Sequence, residues 1–167
     1  MRKNKIGIVV PYRNRREHLN HFIPSITTTL KEQNIDYEVI IVEQADDKPF
    51  NRGKLLNIGV KRAKKLKCNY VALHDVDMLP QKVDYSIVDR PTHLATKFTS
   101  DHKEKRIIFD GYFGGVTLFP IMDYYKVNGY SNEYWGWGYE DDDLLFRCKE
   151  NLFDFNTKQT PIKTSNS

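Results

Sequence analysis

The chain reads as an α/β fold with a Rossmann-like first half, a mixed central sheet and flanking helices. Two observations predict this. From Ile6 to His74, short β-branched runs alternate with stretches of helical apolar spacing, giving strand, helix, strand, helix, strand. Beyond that, the pattern loses its regularity, so parallel pairing is expected only in the first half. A length of 167 residues with 40% apolar content fits one domain with a real core.

The elements follow in order. Ile6–Val10 is a buried strand, expected to end at Pro11. Leu19, Phe22, Ile23, Ile26 and Leu30 recur at helical spacing, predicting a helix from about Arg16 to Gln33. Tyr37–Val42 is the second strand. Lys54–Lys65 is the second helix, with Leu55, Leu56, Val60 and Ala63 inward, and Tyr70–His74 is the third strand. Strand–helix–strand order implies parallel pairing by crossover connections. Thr92–Phe98 and Val116–Phe119 are further strand candidates, Ile121–Val127 a short helix and Glu140–Glu150 a longer one. The domain is expected over 1–150, with a first half to about residue 80 and a second from 81. Residues 151–167 read as a polar, loosely ordered tail.

Composition excludes several classes. A net charge of +4 is mildly basic and favours anionic ligands in general. The Lys61–Lys67 cluster reads as a solvated helix face, and no recognition motif accompanies it, so no nucleic-acid partner is expected. Cys68 and Cys148 cannot build a disulfide scaffold, which points to the cytoplasm. No run approaches the ~20 apolar residues of a membrane span, leaving peripheral membrane contact at most. The apolar stretch Ile6–Val10 is too short for a signal peptide.

Five segments carry candidate chemistry. In Leu73-His74-Asp75-Val76-Asp77-Met78, strand alternation would point Asp75 and Asp77 to one side and Val76 to the other. They lie at the carboxyl end of the third parallel strand, where open α/β sheets bind ligands. Two adjacent carboxylates repel, and a divalent cation bridging to a diphosphate would relieve that. The plainer alternative is a solvated turn.

The second segment is Tyr134-Trp135-Gly136-Trp137-Gly138-Tyr139 followed by Glu140–Asp143. Helix capping explains one or two acids there. Helical geometry puts Glu140 above Leu144 and Asp141 above Leu145, on the face with Cys148 that the helix should bury. These carboxylates therefore point inward, where unpaired charge is costly, while Asp143 pairs with Arg147 at the surface. Inward carboxylates beside tryptophans suit a sugar: an indole face stacks on pyranose C–H groups and carboxylates accept hydroxyl protons. Core packing is the alternative for the tryptophans, less so for Trp137 between glycines.

Pro11-Tyr12-Arg13-Asn14-Arg15-Arg16 places arginines where they can hold a diphosphate or order a uridine loop; Arg16 reads as solvated charge. Phe50-Asn51-Arg52-Gly53-Lys54 opens a helix whose amides and Arg52 could face a nucleotide, with Lys54 as surface charge. In Tyr112-Phe113-Gly114-Gly115 the glycines permit close approach to a ligand, or simply form a bulge.

PYRNR, FNRGKLLNIG, DVDMLP, YFGGV and YWGWGYEDDDLLFR, in that order from about Val9 to Arg147, resemble the inverting β-1,4-galactosyltransferase family. The resemblance implies a single nucleotide-sugar transferase domain of GT-A type, with a nucleotide-sugar half and an acceptor half. It implies that Pro11, Arg13, Arg15, Phe50 and Arg52 hold the uridine nucleotide, with Asp75, Val76 and Gly115 at the donor. Asp77 would ligate Mn²⁺. Tyr112 would crowd the donor C2 substituent and favour galactose over N-acetylgalactosamine. Trp137 would lie over both sugars. Gly138, Tyr139, Glu140 and Asp141 would bind the acceptor, with Asp141 as the base and Glu140 beside it. The partners implied are a UDP-sugar donor and a saccharide or glycoconjugate acceptor ending in N-acetylglucosamine, glucose or xylose.

Three departures stand out. The family usually has Gly where this chain has Tyr139. It takes a Met and a His to the metal beyond the acidic helix, and neither residue follows Asp143 here, so the metal site is expected to be incomplete. Truncation, substitution by His74 or water, or weak metal binding are the alternatives. Eukaryotic members also carry a membrane anchor. Rival readings are an N-acetylgalactosaminyl- or glucosyltransferase on the same fold and a sugar-nucleotide-binding module without catalysis. A metal-dependent hydrolase is disfavoured by the scarcity of His near the carboxylates.

Overall fold

The computed structural model describes residues 4–95, 97–99, 105–107, 112–151, 156–157 and 161–164, with backbone alone for 97–99, 105–107, 156–157 and 161–164. The first half follows the expected order: β1 (Lys5–Tyr12), α1 (Arg16–Glu32), β2 (Asp36–Glu43), α2 (Arg52–Lys65) and β3 (Tyr70–His74). β1 lies between β2 and β3, parallel to both. It runs through Pro11 rather than stopping there. The β3 ladder ends at Val9↔Leu73, so Pro11 falls where β1 has only one neighbour and its missing N–H breaks no β3 pairing.

Alternation along β1 feeds two cores. Ile6, Ile8 and Val10 join Phe22, Ile26 and Leu30 of α1 on one face. Val9 joins Leu56, Val60 and Ala63 of α2 on the other. The buried stripe of α1 starts at His18, while Leu19 and Ile23 are only partly covered. The β1–α2 approach is close: a Cβ at Gly59 would collide with Val9 Cγ1. We expect Gly59→Ala to destabilise the fold by about 1–3 kcal/mol, read from denaturant unfolding. A variant as stable as the wild type would show that helix and strand can separate at little cost.

The second half comprises β4 (Met78–Pro80), β5 (Thr92–His93), β6 (Lys97–Thr99), β7 (Lys105–Ile107), β8 (Val116–Pro120), α3 (Ile121–Lys126), α4 (Glu140–Glu150), β9 (Asn156–Thr157) and β10 (Pro161–Thr164). The main sheet has the order β2-β1-β3-β8-β5-β9. β8 is antiparallel to β3, which makes the sheet mixed as expected. The single strand expected over Thr92–Phe98 is instead split between two sheets: β5 pairs with β8, and β6 belongs to a second sheet, β4-β10-β6-β7. The stretch read as a polar tail supplies β9 and β10, and β10 lies between β4 and β6. Its polar side chains hid this, because backbone pairing at a small sheet needs no apolar run. No helix among the described residues is long and apolar enough to cross a membrane.

α4 packs Leu144, Leu145 and Cys148 into the α2-side core with Phe113, Phe119 and Tyr124. Asp143 pairs with Arg147 at 2.6 Å, as the spacing predicts. The pair is more than a surface contact: Arg147 Nη1 also donates to the carbonyls of Val127 and Gly129, tying α4 to the end of α3.

Candidate active site

Three elements converge at the carboxyl end of β3. The chain leaves the ladder after His74, so Asp75, Val76 and Asp77 sit in a turn and not on the strand from which alternation would have placed them. The turn is closed by Asp75 N–H donating to Gly115 O (2.9 Å) and Met78 N–H donating to Asp75 O (3.2 Å). It nonetheless buries Val76 in the α1-side core and leaves Asp75 and Asp77 partly exposed.

His74 braces the turn from behind. Its Nδ1 lies 2.9 Å from Asp75 O, and a carbonyl can only accept, so Nδ1 carries the proton. Nε2 then accepts from the Tyr85 hydroxyl at 2.8 Å. Burial lowers the His74 pKa to about 4, so the ring is neutral. Both nitrogens are engaged, which removes His74 as a substitute metal ligand.

The second element is the start of α2. Asn51 caps the helix, its side chain accepting from Lys54 N–H at 2.9 Å. Arg52, the next residue, is aimed at carboxylates. Its Nε donates to Asp75 Oδ1 at 2.7 Å and its Nη1 to Asp141 Oδ1 at 2.8 Å, with Glu140 Oε1 3.7 Å away. Burial opposes the charge on Arg52, but Asp141 and Asp75 outweigh it and hold its pKa well above the ordinary value. Burial raises Asp75 to about 6 against the pull of Arg52, with Asp77 and Asp141 adding to the rise. Burial, then Asp141, raises Glu140, and Arg52 again opposes.

The third element is the acidic first turn of α4 and the loop before it. Glu140 is buried and Asp141 faces Arg52, which confirms the inward placement read from helical spacing. Four acids at a helix N-terminus also complement its dipole. The preceding loop stands proud. Gly136 (φ 90°), Gly138 (φ 105°) and Tyr139 (φ 70°) all take positive φ, turning the chain sharply around Trp137. Trp137 is fully exposed (101%) and Tyr139 is 76% exposed, so neither is a core residue. Trp135 is 41% exposed, with Lys48 Nζ at 5.6 Å and Lys54 Nζ at 5.8 Å from its ring centroid. Lys54, read as plain surface charge, thus covers an indole.

The remaining candidates divide. Arg13 lies over the Phe50 ring at 5.4 Å and donates to Lys48 O at 2.6 Å, while Gly136 N–H donates to Phe50 O at 2.8 Å. The segment around Phe50 therefore joins the loop after β1 to the tryptophan loop. Pro11 is buried in β1, and Arg15 is exposed just before α1. Tyr112 is partly buried with its ring edge-on to His93 at 5.5 Å. Burial, then Asp75 and Asp141, raises its pKa, so its hydroxyl keeps its proton.

Two residues at this site escaped the sequence reading. Tyr130 donates its hydroxyl to Asp141 Oδ1 at 2.7 Å. Gln44 accepts from Asn51 N–H (2.8 Å) and donates to Asp46, Lys48 and Pro49, shaping the loop before α2. Neither sits in a motif. Asn128-Gly129-Tyr130 reads only as a turn, and nothing local marks its hydroxyl.

The donor set also bears on a metal. Asp77 is partly exposed in the turn after β3, and the described residues hold no group of three or more His, Cys, Asp or Glu placed for a metal ion. Such a site fits an oxygen-seeking divalent cation whose other ligands come from a diphosphate and water.

A carboxylate turn at the strand ends of an α/β sheet is thus joined through one arginine to an acidic helix start, with an exposed tryptophan in the loop before that helix. The chain belongs to glycosyl transferase group 7: the family model for that group's N-terminal region matches residues 1–88, and the model for the N-terminal domain of galactosyltransferase matches 94–165. It is 33% identical to a xylosylprotein 4-beta-galactosyltransferase of Caenorhabditis elegans, over 98% of this chain and 56% of that protein. It is 41% identical to beta-1,4-galactosyltransferase 4 of Homo sapiens, over 87% of this chain and 42% of that one. The chain thus spans about half the length of these curated relatives. Among solved structures it resembles the catalytic domain of Drosophila beta1,4-galactosyltransferase 7 in complex with xylobiose. That match has a TM-score of 0.84 and 32% identity and covers 93% of this chain and 65% of that one. A mutant of the same Drosophila enzyme has been solved with manganese, UDP-Gal and xylobiose. The GT-A-type expectation and the family resemblance both stand.

Proposed function

We propose that this chain performs inverting transfer of galactose from UDP-galactose to a sugar hydroxyl, on a xylose-, N-acetylglucosamine- or glucose-type acceptor. The observation that carries the reading is that one guanidinium, Arg52, joins Asp75 on the strand-end turn to Asp141 on the acidic helix. The turn read as the donor side and the helix start read as the acceptor side therefore meet at one point. The similarity to a Drosophila enzyme solved with UDP-Gal and xylobiose supports these substrates.

In this mechanism Asp141 accepts the acceptor hydroxyl proton as that oxygen bonds to the anomeric carbon. The bond from that carbon to the UDP oxygen breaks on the opposite face, and UDP leaves with the electron pair. Trp137 offers its face to the sugars, and Glu140 accepts an acceptor hydroxyl. Asp77 would hold Mn²⁺, which when bound neutralises charge on the departing diphosphate. Arg13 and Phe50 border the nucleotide side.

The test is UDP release from UDP-galactose with Mn²⁺, with and without xyloside, glucoside and N-acetylglucosaminide acceptors. We expect release that needs the acceptor, and a β-linked product by proton NMR. A chain that binds UDP yet releases none from any UDP-sugar would instead be a binding module. Preferential use of UDP-N-acetylgalactosamine or UDP-glucose would move the assignment to another donor on the same fold.

A further inference from the structure

The two oxygens of Asp141 are not equivalent. Oδ1 accepts from the Tyr130 hydroxyl at 2.7 Å and from Arg52 Nη1 at 2.8 Å. Two donors occupy the two lone pairs of a carboxylate oxygen, so Oδ1 has no capacity left for a substrate proton. Oδ2 lies on the other side, towards Gly114 and Tyr112. A Cβ at Gly114 would stand 2.5 Å from Asp141 Oδ2 and 2.7 Å from the Tyr112 hydroxyl oxygen, so only a glycine lets the carboxylate and Tyr112 pack this closely against the backbone there. Among the described residues no hydrogen-bond donor reaches Oδ2.

Tyr130 is well placed to hold this asymmetry. Burial, then the neighbouring Asp141, pushes its pKa well above the ordinary range, so its hydroxyl remains a donor. Its ring is buried in the α2-side core. Its own N–H donates to Asn57 Oδ1 (3.0 Å), while Asn57 Nδ2 donates back to Tyr130 O (2.8 Å). Arg52 Nη1 lies 3.2 Å from the hydroxyl oxygen and its guanidinium carbon 5.6 Å from the ring, completing a triangle with Asp141. Arg52 and Asn57 of α2 therefore help to fix the hydroxyl position from the side opposite α4's own backbone hydrogen bonds, through contacts that Asp141 does not make.

From this geometry we infer that Tyr130 is a positioning residue for the base: with Arg52 it fills Oδ1 and commits Oδ2 to receive the acceptor proton. The inference rests on the reading of Asp141 as the base. Without the Tyr130 hydroxyl, Oδ1 keeps only Arg52, and the carboxylate can rotate about its Cβ–Cγ bond.

The experiment compares Tyr130→Phe, Asp141→Asn and the double variant in the transfer assay, with UDP affinity by calorimetry as the check on folding. A hydrogen bond to a charged group is worth roughly a tenfold factor or more. We expect Tyr130→Phe to lower kcat about tenfold, with donor and acceptor KM within about twofold of wild type and UDP affinity unchanged. Asp141→Asn should be far slower, and adding Tyr130→Phe to it should cause no further loss, because Tyr130 acts only through Asp141. A Tyr130→Phe enzyme with wild-type kcat overturns the inference. So does an equal fractional loss in the Asp141→Asn background, or a loss that lies wholly in KM or UDP affinity. Wild-type turnover by Asp141→Asn alone would instead overturn the base assignment, so the two failures are distinct.

Discussion

Asp141→Asn is expected to lower kcat by roughly 10²–10⁴ while leaving UDP affinity nearly unchanged, because a general base is lost and the nucleotide side is untouched. The substitution is gentle on the fold. An Asn side-chain oxygen can still accept from Tyr130 and Arg52, and Arg52 keeps Asp75 at 2.7 Å as its charge partner. The measurement is single-turnover transfer beside calorimetry with UDP. Turnover at the wild-type rate would shift the base role to Glu140 or water. A parallel loss of UDP binding would mean that the ion-pair cluster, and not the proton transfer, had been damaged.

Removing the cation has a different signature. Arg52→Met should abolish transfer and also destabilise the fold by about 3–5 kcal/mol, the range for breaking a buried ion pair from one side. Three carboxylates, Asp75, Glu140 and Asp141, would then share a crevice without their countercharge. The pH dependence follows from Asp75, whose pKa is already raised to about 6 by burial. Above that value Asp75 is ionised; in the wild type Arg52 offsets part of the cost of burying that charge, whereas in the variant nothing offsets it and the repulsion is added. As pH falls through about 6 the carboxyl takes up a proton, and both effects fade. The gap in thermal midpoint between variant and wild type should therefore narrow between pH 7 and pH 5. A gap that is constant or widens would show that Arg52 contributes by packing alone.

How much of this was legible in the sequence depended on whether the signal was local. β1, α1, β2, α2 and β3 carry their own periodicity, and their bounds shift by only a few residues in the structure. The inward face of α4 was readable because residues four apart share a face, so Leu144 and Leu145 located Glu140 and Asp141. The turn at Asp75–Asp77 reached the right exposure through the wrong geometry. Burial of Val76 was foreseeable from its character, but departure from the strand after His74 was not. Arg52 was read as facing a nucleotide from its place at a helix start, and its bridge to Asp75 and Asp141 depends on contacts 23 and 89 residues away in sequence. Tyr130, without a motif, gave no signal of its partner. β9 and β10 were missed for a related reason: their pairing is set by strands far upstream and not by their own apolar content.

That last arrangement has a consequence for the order in which the molecule matures. Residues 78–80, the strand that leaves the Asp75–Asp77 turn, are paired with residues 162–164. On a ribosome the parallel half, which needs nothing beyond β3 to pair β1 with both neighbours, can assemble early. The strand next to the carboxylate turn must wait until residues 162–164 have emerged before its partner arrives. Pairings this distant carry a large loop-closure cost and form late. The nascent protein therefore acquires its scaffold well before the flank of its crevice is secured. Peptide stalled at about residue 150 should resist protease over the first half while remaining cleavable near Met78–Pro80.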